Sequence, residues 1–390
     1  MPGIYIHIPF CRQACHYCNF HFSTSLRYKE EMLQAILQEL SLRSGYLEEK
    51  ELDSIYFGGG TPSLLTESEL MRFFDAIGRY FRLRPGAEIT LEANPDDLTP
   101  EKVQALRHTP VNRLSIGIQS FHDEDLRFFN RAHTAGQARA SLEHALSAGF
   151  TGLTIDLIYG APTTGQKQWE ENIDIFFGYG IPHLSSYALT VEDRTALAHF
   201  IKTGKVPPVE DEKAARQYEY LMASMHAGGY VQYEISNFAR PGCFAVHNSS
   251  YWKGEPYLGL GPSAHSYNGA SRQWNISNNA GYIRLLQGSS GAQALIPGLF
   301  ETEHLSTATR YNEYVMTGLR TIWGVELFHL RQMAPAYENY FLENIRPFLD
   351  AGQAKQEGDT ISLTDAGRLL ADGIASAVFM VGETGPEFRM

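Results

Sequence analysis

Three cysteine residues near the start of the chain are the group best suited to carry chemistry. Cys11, Cys15 and Cys18 have the spacing C-x3-C-x2-C and directly follow an apolar run at residues 4–8. Three thiolates on one short loop can hold three irons of a four-iron cluster and leave the fourth iron open. An open iron can take a chelating small molecule, so the sequence predicts a [4Fe-4S] cluster with a binding function at this loop.

Other uses of these cysteines explain the spacing less well. A zinc site needs four ligands in a tetrahedron, and the fourth would have to come from His16 or His21 at an awkward spacing. A disulfide would pair two of the cysteines and leave the third alone. Buried structural cysteines would not be grouped so closely, and we therefore favour the cluster.

The composition indicates a reducing compartment. One further cysteine, Cys243, occurs among the 390 residues, so a disulfide framework is excluded in practice. Residues 1–3 run straight into a strand pattern, and no run of about 18 apolar residues indicates a membrane span. We therefore expect a cytoplasmic protein. The net charge of −12 argues against a general nucleic-acid surface, but it leaves open a peripheral contact with a membrane.

The first half of the sequence alternates between strand and helix patterns. A helix is predicted at residues 67–80, with Thr66 or Ser68 as its N-cap, and another begins near Pro100. This alternation predicts parallel βα units, in an open doubly wound sheet or a partial barrel, with ligands at the carboxyl ends of the strands. The predicted strands lie at residues 4–8, 54–57, 88–92, 113–119, 151–159 and 183–189.

The pattern changes after the sixth strand, and we expect three domains, at residues 1–190, 191–300 and 301–390. A linker at 205–208 precedes a helix at 211–227 and a short strand at 230–235. Residues 237–279 are rich in Gly, Asn, Ser and aromatic residues and predict a long functional loop region. A hairpin at 356–364 followed by a helix at 365–378 resembles a winged helix. The alternative is a small helical cap with no role in nucleic-acid binding, and the acidic net charge favours it.

Glycines and polar side chains end several of the predicted strands. Residues 58–62 read GGGTP after the second strand, where glycines let the backbone approach a ligand and free N–H groups can bind a carboxylate. Glu92 closes the third strand, Gln119 closes the fourth and Arg131 follows it, and Asp156 lies in the fifth. Each of these taken alone can be a salt bridge or a cap. Together they predict one mouth that binds ribose and carboxylate groups.

Five short motifs make the chain similar to a known family. They are YIHIPFC at residues 5–11, GGGTP at 58–62, IGIQSF at 116–121, NR at 130–131 and DLIYG at 156–160. They resemble the HemN/HemW family of radical SAM proteins from residue 5 to about residue 267. The resemblance implies an α/β fold, an incomplete (βα)6 radical SAM barrel that holds a [4Fe-4S] cluster and S-adenosylmethionine. A mostly helical, winged-helix-like C-terminal domain would follow it.

The same resemblance assigns residues to these cofactors. Cys11, Cys15 and Cys18 would ligate iron, and the open iron would take the amino and carboxylate groups of S-adenosylmethionine. Ala188 rests on the weakest part of the match, because the loop before it is shorter here than in HemN. The implied contacts to S-adenosylmethionine are Tyr5, Tyr17, Gly59, Gly60, Thr61, Glu92, Gln119, Arg131, Asp156 and Ala188.

Two branches of this family differ at positions that this sequence contains. The HemN branch decarboxylates coproporphyrinogen III and carries a further cysteine two places after the third, where this chain has Phe20. The HemW branch lacks that cysteine and carries an H-N-x-x-Y-W motif, present here as HNSSYW at residues 247–252. Both features favour the HemW branch, whose members are heme chaperones that deliver heme to respiratory proteins.

Under this interpretation the HNSSYW motif predicts a heme site. A histidine nitrogen is a good axial ligand of heme iron and aromatic rings pack on a porphyrin face, so His247 is the predicted ligand, with Tyr251 and Trp252 beside it. His265 and Cys243 are rival ligands, and a structural histidine between core aromatics is the alternative without heme. Heme and heme-accepting respiratory proteins are the implied partners, and a homodimer stays open. The alternative functions are an oxygen-independent coproporphyrinogen III dehydrogenase and a radical SAM enzyme with another substrate.

Overall fold

Six parallel strands alternating with helices form the first half of the fold. The structure is a computed structural model that describes residues 2–287 and 296–381. Every neighbouring pair in this series is parallel, as the sequence predicts. The strands are β1 (Gly3–Ile8), β2 (Glu51–Gly59), β3 (Arg82–Ala93), β4 (Arg113–Gln119), β5 (Gly152–Tyr159) and β6 (His183–Ala188). The helices are α1 (Lys29–Arg43), α2 (Glu67–Ile77), α3 (Pro100–Arg107), α4 (Asp123–Phe128), α5 (Ala135–Ser147) and α6 (Gln166–Tyr179).

The predicted helix starts are confirmed by their caps. The Thr66 side chain accepts a hydrogen bond from the backbone N–H of Glu69, and the Glu69 carboxylate accepts one from the backbone N–H of Thr66. This reciprocal pair is a capping box at the start of α2. Pro100 is the first residue of α3, where its missing N–H costs nothing. These local signals fix where each helix begins after its strand.

Alternation along the strands separates a helix-covered face from a polar interior face. In β1, Ile4, Ile6 and Ile8 are fully buried in the main hydrophobic core. Tyr5 and His7 point to the opposite face, because successive side chains of a strand alternate. The same two-residue period in β2 to β6 places polar side chains on the interior face of the sheet.

Further short strands extend this sheet on both sides. Among the described residues it has twelve strands in the order β12-β11-β10-β9-β1-β2-β3-β4-β5-β6-β8-β7, and these strands do not close into a full barrel. The added strands are β7 (Val231–Glu234), β8 (Asn237–Ala239), β9 (Tyr257–Leu260), β10 (His265–Tyr267), β11 (Ser271–Asn275) and β12 (Phe300–His304). The helices here are α7 (Ala196–Lys202), α8 (Asp211–Ala227), α9 (Val246–Trp252) and α10 (Asn279–Gln287).

The prediction of a loop region at residues 237–279 is wrong. This segment contains β8, α9 and the strands β9, β10 and β11. Strands of three to five residues that are rich in Gly, Asn and Ser carry little intrinsic strand preference. They form because neighbouring strands supply hydrogen-bond partners, and such pairing is a tertiary effect.

The C-terminal part has its own hydrophobic core and a three-stranded sheet in the order β13-β15-β14. The predicted hairpin is confirmed, but the predicted helix at 365–378 is interrupted, since Leu370 leaves the helical region with φ −116°. In the described part of the chain, no helix is long and apolar enough to cross a membrane. The elements are α11 (Thr307–Leu319), β13 (Val325–Glu326), α12 (Leu327–Met333), α13 (Pro335–Asp350), β14 (Ala354–Glu357), β15 (Thr360–Leu363), α14 (Asp365–Arg368) and α15 (Ala371–Ala377).

A buried ionic network joins α1 to the strands beyond β1. Glu39 and Arg43 form an ion pair at 2.9 Å, and both side chains are almost fully enclosed. Arg43 donates to Gln273 at 2.7 Å, and Glu39 accepts from the Asn275 side chain at 2.7 Å and from the Gly261 N–H at 2.8 Å. Because each charge has partners, the network holds this flank of the sheet against β1.

We expect Glu39→Ala to lower the free energy of unfolding by about 3–5 kcal/mol, because it leaves the Arg43 charge buried and unpaired. Urea unfolding followed by circular dichroism measures the change. Glu30→Ala on the same helix is the matched control, because Glu30 pairs with Arg72 at the surface and such pairs contribute less than about 1 kcal/mol. Equal effects of the two substitutions would contradict the prediction.

Candidate functional site

The cysteine loop lies at the carboxyl end of β1 and is tied to the segment after α4. The Asn130 side chain donates to the carbonyl of Ala14 at 2.7 Å, and the His16 N–H donates to the carbonyl of Phe129 at 3.1 Å. Asn130 has a positive φ of 57°, a conformation that asparagine tolerates better than most residues. The loop is therefore held by the segment after α4 as well as by its own strand.

The three thiols share one polar environment beside a buried guanidinium. All four cysteines of the chain are free, and Nη1 of Arg131 donates to Sγ of Cys15 at 3.3 Å. Burial raises the pKa of Cys11 and raises that of Cys18 to about 11, so these thiols keep their protons until a metal displaces them. Their chemistry fits an iron–sulfur cluster, whose protein ligands are thiolates.

The histidines of the zinc alternative are engaged elsewhere. His16 Nδ1 lies 2.9 Å from the carbonyl of Phe128, and His21 Nε2 lies 2.7 Å from Oδ1 of Asn279. Within residues 2–287 and 296–381, no group of three His, Cys, Asp or Glu side chains is placed to hold a single metal ion. The ligands of a four-iron cluster each bind a different iron and therefore lie farther apart than the ligands of one metal ion. The finding thus argues against a zinc site and does not argue against a cluster.

Two carboxylates of the interior face have strongly raised pKa values. Glu92 accepts from the Tyr56 hydroxyl at 2.8 Å and from the Gly59 N–H at 3.2 Å. Burial nonetheless raises the pKa of Glu92 to about 7. Burial, and then the charge of Glu92, raise the pKa of Asp156 to about 7, although Ser115 donates a hydrogen bond to it at 3.5 Å. A cationic ligand between these groups would restore both charges.

Arg131 carries the positive charge of this site. Its Nη2 donates to Oδ1 of Asn94 at 2.7 Å and to the carbonyl of Gly117 at 2.8 Å. Burial opposes its charge, but the neighbouring Tyr17 and Cys15 outweigh burial and raise its pKa. Its Nε is buried and has no hydrogen-bond partner among the described residues. A buried donor without an acceptor is rare. A carboxylate or ribose hydroxyl of a ligand could accept a hydrogen bond from this Nε.

The glycines of the GGGTP segment are required by close packing. Gly59 has φ +103°, and a Cβ there would lie 2.6 Å from the His7 ring. A Cβ on Gly60 would lie 2.6 Å from the carbonyl oxygen of Phe10. Thr61 hydrogen-bonds to Cys11 and accepts from the Asn94 side chain at 3.3 Å. The segment is therefore packed against the cysteine loop, as a shared binding site requires.

The other predicted contacts to S-adenosylmethionine lie around the same opening. Tyr5 stacks on Tyr56 inside the sheet, and the Tyr17 ring meets that of Phe129 edge-on at 5.4 Å. Gln119 ends β4 with a positive φ of 66°. Ala188 ends β6 and is exposed. The predicted set thus converges on the carboxyl ends of the strands, with Ala188 at its margin.

The HNSSYW segment lies at the opposite end of the strands. It forms α9, whose first N–H groups, those of Val246 and His247, donate to Glu88 at 2.9 and 3.0 Å. His247 Nδ1 lies 2.7 Å from Oγ of Ser54, and its Nε2 lies 2.8 Å from the hydroxyl of Tyr251. A Cβ on Gly3, where β1 begins, would lie 3.1 Å from His247. His247 therefore lies near the amino end of β1, whereas the cysteine loop follows its carboxyl end.

The enclosed imidazole of His247 is neutral. Burial lowers its pKa to about 3, and a neutral imidazole is the form that ligates metals. Trp252, at the end of α9, packs against the guanidinium of Arg320 from the C-terminal part. The distance from Cζ of Arg320 to the centre of the Trp252 ring is 5.5 Å. Of the rival ligands, His265 is exposed on β10 and Cys243 is half-buried before α9.

Comparisons with known proteins decide the family. The model of the radical SAM superfamily matches residues 5–184, and that of the HemN C-terminal domain matches residues 305–370. A protein named heme chaperone HemW from Mycobacterium tuberculosis (strain CDC 1551 / Oshkosh) is 35% identical over 376 residues, covering 95% of this chain and 93% of the relative. The protein of that name from Bacillus subtilis (strain 168) is 34% identical over 385 residues, covering 97% and 99%. The chain belongs to the HemW family of radical SAM proteins.

A solved structure supports the fold of this HemW-family chain. The coproporphyrinogen III oxidase HemN of Escherichia coli superimposes with a TM-score of 0.83 and 24% identity, covering 97% of this chain and 90% of that one. At this identity the match concerns the fold, and it confirms the predicted radical SAM barrel with its C-terminal domain. The radical SAM match ends near β6, which agrees with the six βα units.

Three residues that organise the site escaped the sequence prediction. Asn94 joins Arg131 to Thr61, and Tyr56 holds Glu92. Glu88 fixes the start of α9. The two-residue period of β2 and β3 places Tyr56 and Glu88 on the interior face, and that signal could have found them. Asn94 directly follows β3, as other residues of the opening follow their strands.

We expect Cys15→Ser to abolish the broad blue-end absorption that anaerobic iron and sulfide reconstitution gives the wild type. Serine keeps the shape of the side chain but supplies no thiolate. Cys243→Ser is the matched control, because Cys243 lies outside the loop, and its absorption and iron content should equal those of the wild type. An intact spectrum in Cys15→Ser would refute the ligand set.

Proposed function

We propose that this HemW-family protein is a heme chaperone that binds a [4Fe-4S] cluster, S-adenosylmethionine and heme, and delivers heme to respiratory proteins in the cytoplasm. One observation carries the proposal. A chain that matches proteins named heme chaperone HemW over 95% of its length combines a three-thiol loop with an enclosed histidine on a separate helix. The resemblance between these chains supports the same function for both.

The carboxyl-end opening suits a small zwitterionic cation. Cys11, Cys15 and Cys18 would hold the cluster, which supplies an open iron for chelation and an electron for reductive chemistry. Arg131 offers a buried donor without a partner to a carboxylate or ribose oxygen. Glu92 and Asp156 lie together on the interior face and would balance the positive charge of S-adenosylmethionine, which compensates the cost of ionising them in a buried site.

The His247 helix suits a heme ligand that is kept enclosed. Both ring nitrogens of His247 have partners, Ser54 and Tyr251. Iron ligation through either nitrogen would break one of these hydrogen bonds, so heme binding at His247 requires α9 to move away from β2. A ligand released by a small helix is appropriate for a chaperone, which has to give up its heme.

Oxygen-independent coproporphyrinogen III dehydrogenase is the second candidate function, favoured by the fold match to HemN. Phe20 weighs against it. This side chain is 68% exposed beside the cysteine loop, at the place where the resemblance puts an additional cysteine in the HemN branch. Incubation of reconstituted protein with coproporphyrinogen III separates the two functions, since formation of protoporphyrinogen would remove the chaperone interpretation.

We expect the affinity for S-adenosylmethionine to rise about tenfold between pH 6 and pH 8. Burial raises the pKa of Glu92 and Asp156 to about 7, so both are largely protonated at pH 6 and ionised at pH 8. A difference of one pKa unit corresponds to about tenfold in binding. Anaerobic equilibrium dialysis of the reconstituted protein measures it.

The matched control for this pH dependence is the double variant Glu92→Gln, Asp156→Asn. This variant keeps the shapes of the two side chains but cannot ionise there. It should therefore bind S-adenosylmethionine more weakly at both pH values, and its affinity should change little between pH 6 and pH 8. A wild-type affinity that stays constant from pH 6 to pH 8 would contradict the assigned charges.

We expect His247→Ala to remove the shifted Soret band that added heme gives the wild-type protein, because alanine offers iron no nitrogen. Visible absorption titration with heme measures the change, and His265→Ala should retain the band. If the band survives in His247→Ala and disappears in His265→Ala or Cys243→Ser, the ligand is the rival residue. Thermal unfolding of each variant controls for loss of fold.

A further inference from the structure

Tyr56 contacts both predicted binding sites from the middle of β2. Its hydroxyl donates to Oε1 of Glu92 at 2.8 Å, on the side of the S-adenosylmethionine opening. Its ring stacks on the imidazole of His247 with centres 5.0 Å apart and planes 23° apart, on the side of α9. Tyr5 completes the stack at 6.0 Å from Tyr56 and 6.4 Å from His247. One side chain therefore touches a residue of each site.

The stack depends on the enclosed position of His247. Ser54 and Tyr251 hold the two imidazole nitrogens in the plane that faces Tyr56, and Glu88 holds the start of α9. When His247 leaves to bind iron, the Tyr56 ring loses the nearer of the two rings stacked on it and keeps only Tyr5, so its orientation is held less firmly. The hydrogen bond from Tyr56 to Glu92 depends on that orientation, because a phenol hydroxyl moves with its ring.

We propose that Tyr56 is a positioning residue that couples the two sites, holding Glu92 in place for S-adenosylmethionine only while His247 remains in the stack. This inference rests on the proposed function. It predicts opposition between the ligands: heme at His247 weakens S-adenosylmethionine binding, and S-adenosylmethionine weakens heme binding. Coupling between two binding equilibria is reciprocal, so both ligands must show the same factor.

The coupling factor is the first test. We expect saturating heme to raise the dissociation constant of S-adenosylmethionine about fivefold to tenfold in the reconstituted wild-type protein, within the usual range for coupled sites. Saturating S-adenosylmethionine should raise the dissociation constant of heme by the same factor. In Tyr56→Phe the ring still stacks on His247 but donates nothing to Glu92, so this factor should fall to about one.

Tyr257→Phe is the matched control for the coupling. Tyr257 packs edge-on against Tyr251 at 4.5 Å between ring centres, and it loses the same single hydroxyl without touching Glu92. It should keep the wild-type factor. If Tyr56 has only a structural role, Tyr56→Phe would change the affinity for each ligand alone but leave the factor by which one ligand weakens the other unchanged. That result would overturn the proposal.

Hydrogen–deuterium exchange tests the coupling without heme. We expect S-adenosylmethionine to slow amide exchange in α9 about threefold or more, because it fixes Glu92 and through Tyr56 the stack on His247. In Tyr56→Phe the exchange should not respond. Unchanged exchange in the wild type at saturating S-adenosylmethionine would overturn the proposal.

The outcomes separate this inference from the proposed function. Independent binding of both ligands in the wild type, with the heme band lost in His247→Ala, would refute the coupling and leave the chaperone function in place. Heme bound in His247→Ala would refute the predicted ligand. The exchange experiment would still decide whether Tyr56 transmits the binding of S-adenosylmethionine to α9.

Discussion

Ionisable side chains on the interior face of the parallel strands impose the constraint on which the rest of the structure depends. Burying a carboxylate is costly unless donors surround it, and the chain supplies donors to Glu92 from Tyr56 and Gly59. Arg131 is held in turn by Asn94 and Gly117 and meets the thiol of Cys15. These bonds preserve a polar opening beside the cysteine loop, where packing would otherwise favour apolar side chains.

The molecule uses the two ends of its strands differently. At the carboxyl ends, loops bring together the thiols of the cysteine loop and the guanidinium of Arg131. At the amino ends, α9 closes the sheet and places His247 between Ser54 and Tyr251. The two ends share the interior face, so a side chain in the middle of a strand can touch both. Tyr56 occupies that position.

Enclosure of His247 suits transient binding. Under the proposed function its neutral imidazole would ligate heme iron, and the hydrogen bonds to Ser54 and Tyr251 would compete with iron for its nitrogens. Competition of this kind lowers affinity by the cost of opening the closed form. A carrier that must release its cargo benefits from such a cost, whereas an enzyme that keeps its prosthetic group does not.

The sequence alone determined the six βα units and the position of the thiol loop, because these follow from local spacing: a two-residue period for strands and capping at Thr66. It also placed polar residues where strands end, and their role as a binding site stays a prediction. Tertiary structure decided the rest. The short strands within residues 237–279 form because neighbouring strands supply hydrogen-bond partners, and Glu88 of β3 holds the start of α9. The contacts of Tyr56 with Glu92 and His247 join segments far apart in sequence, and no local pattern records which distant side chains meet across the interior of a curved sheet.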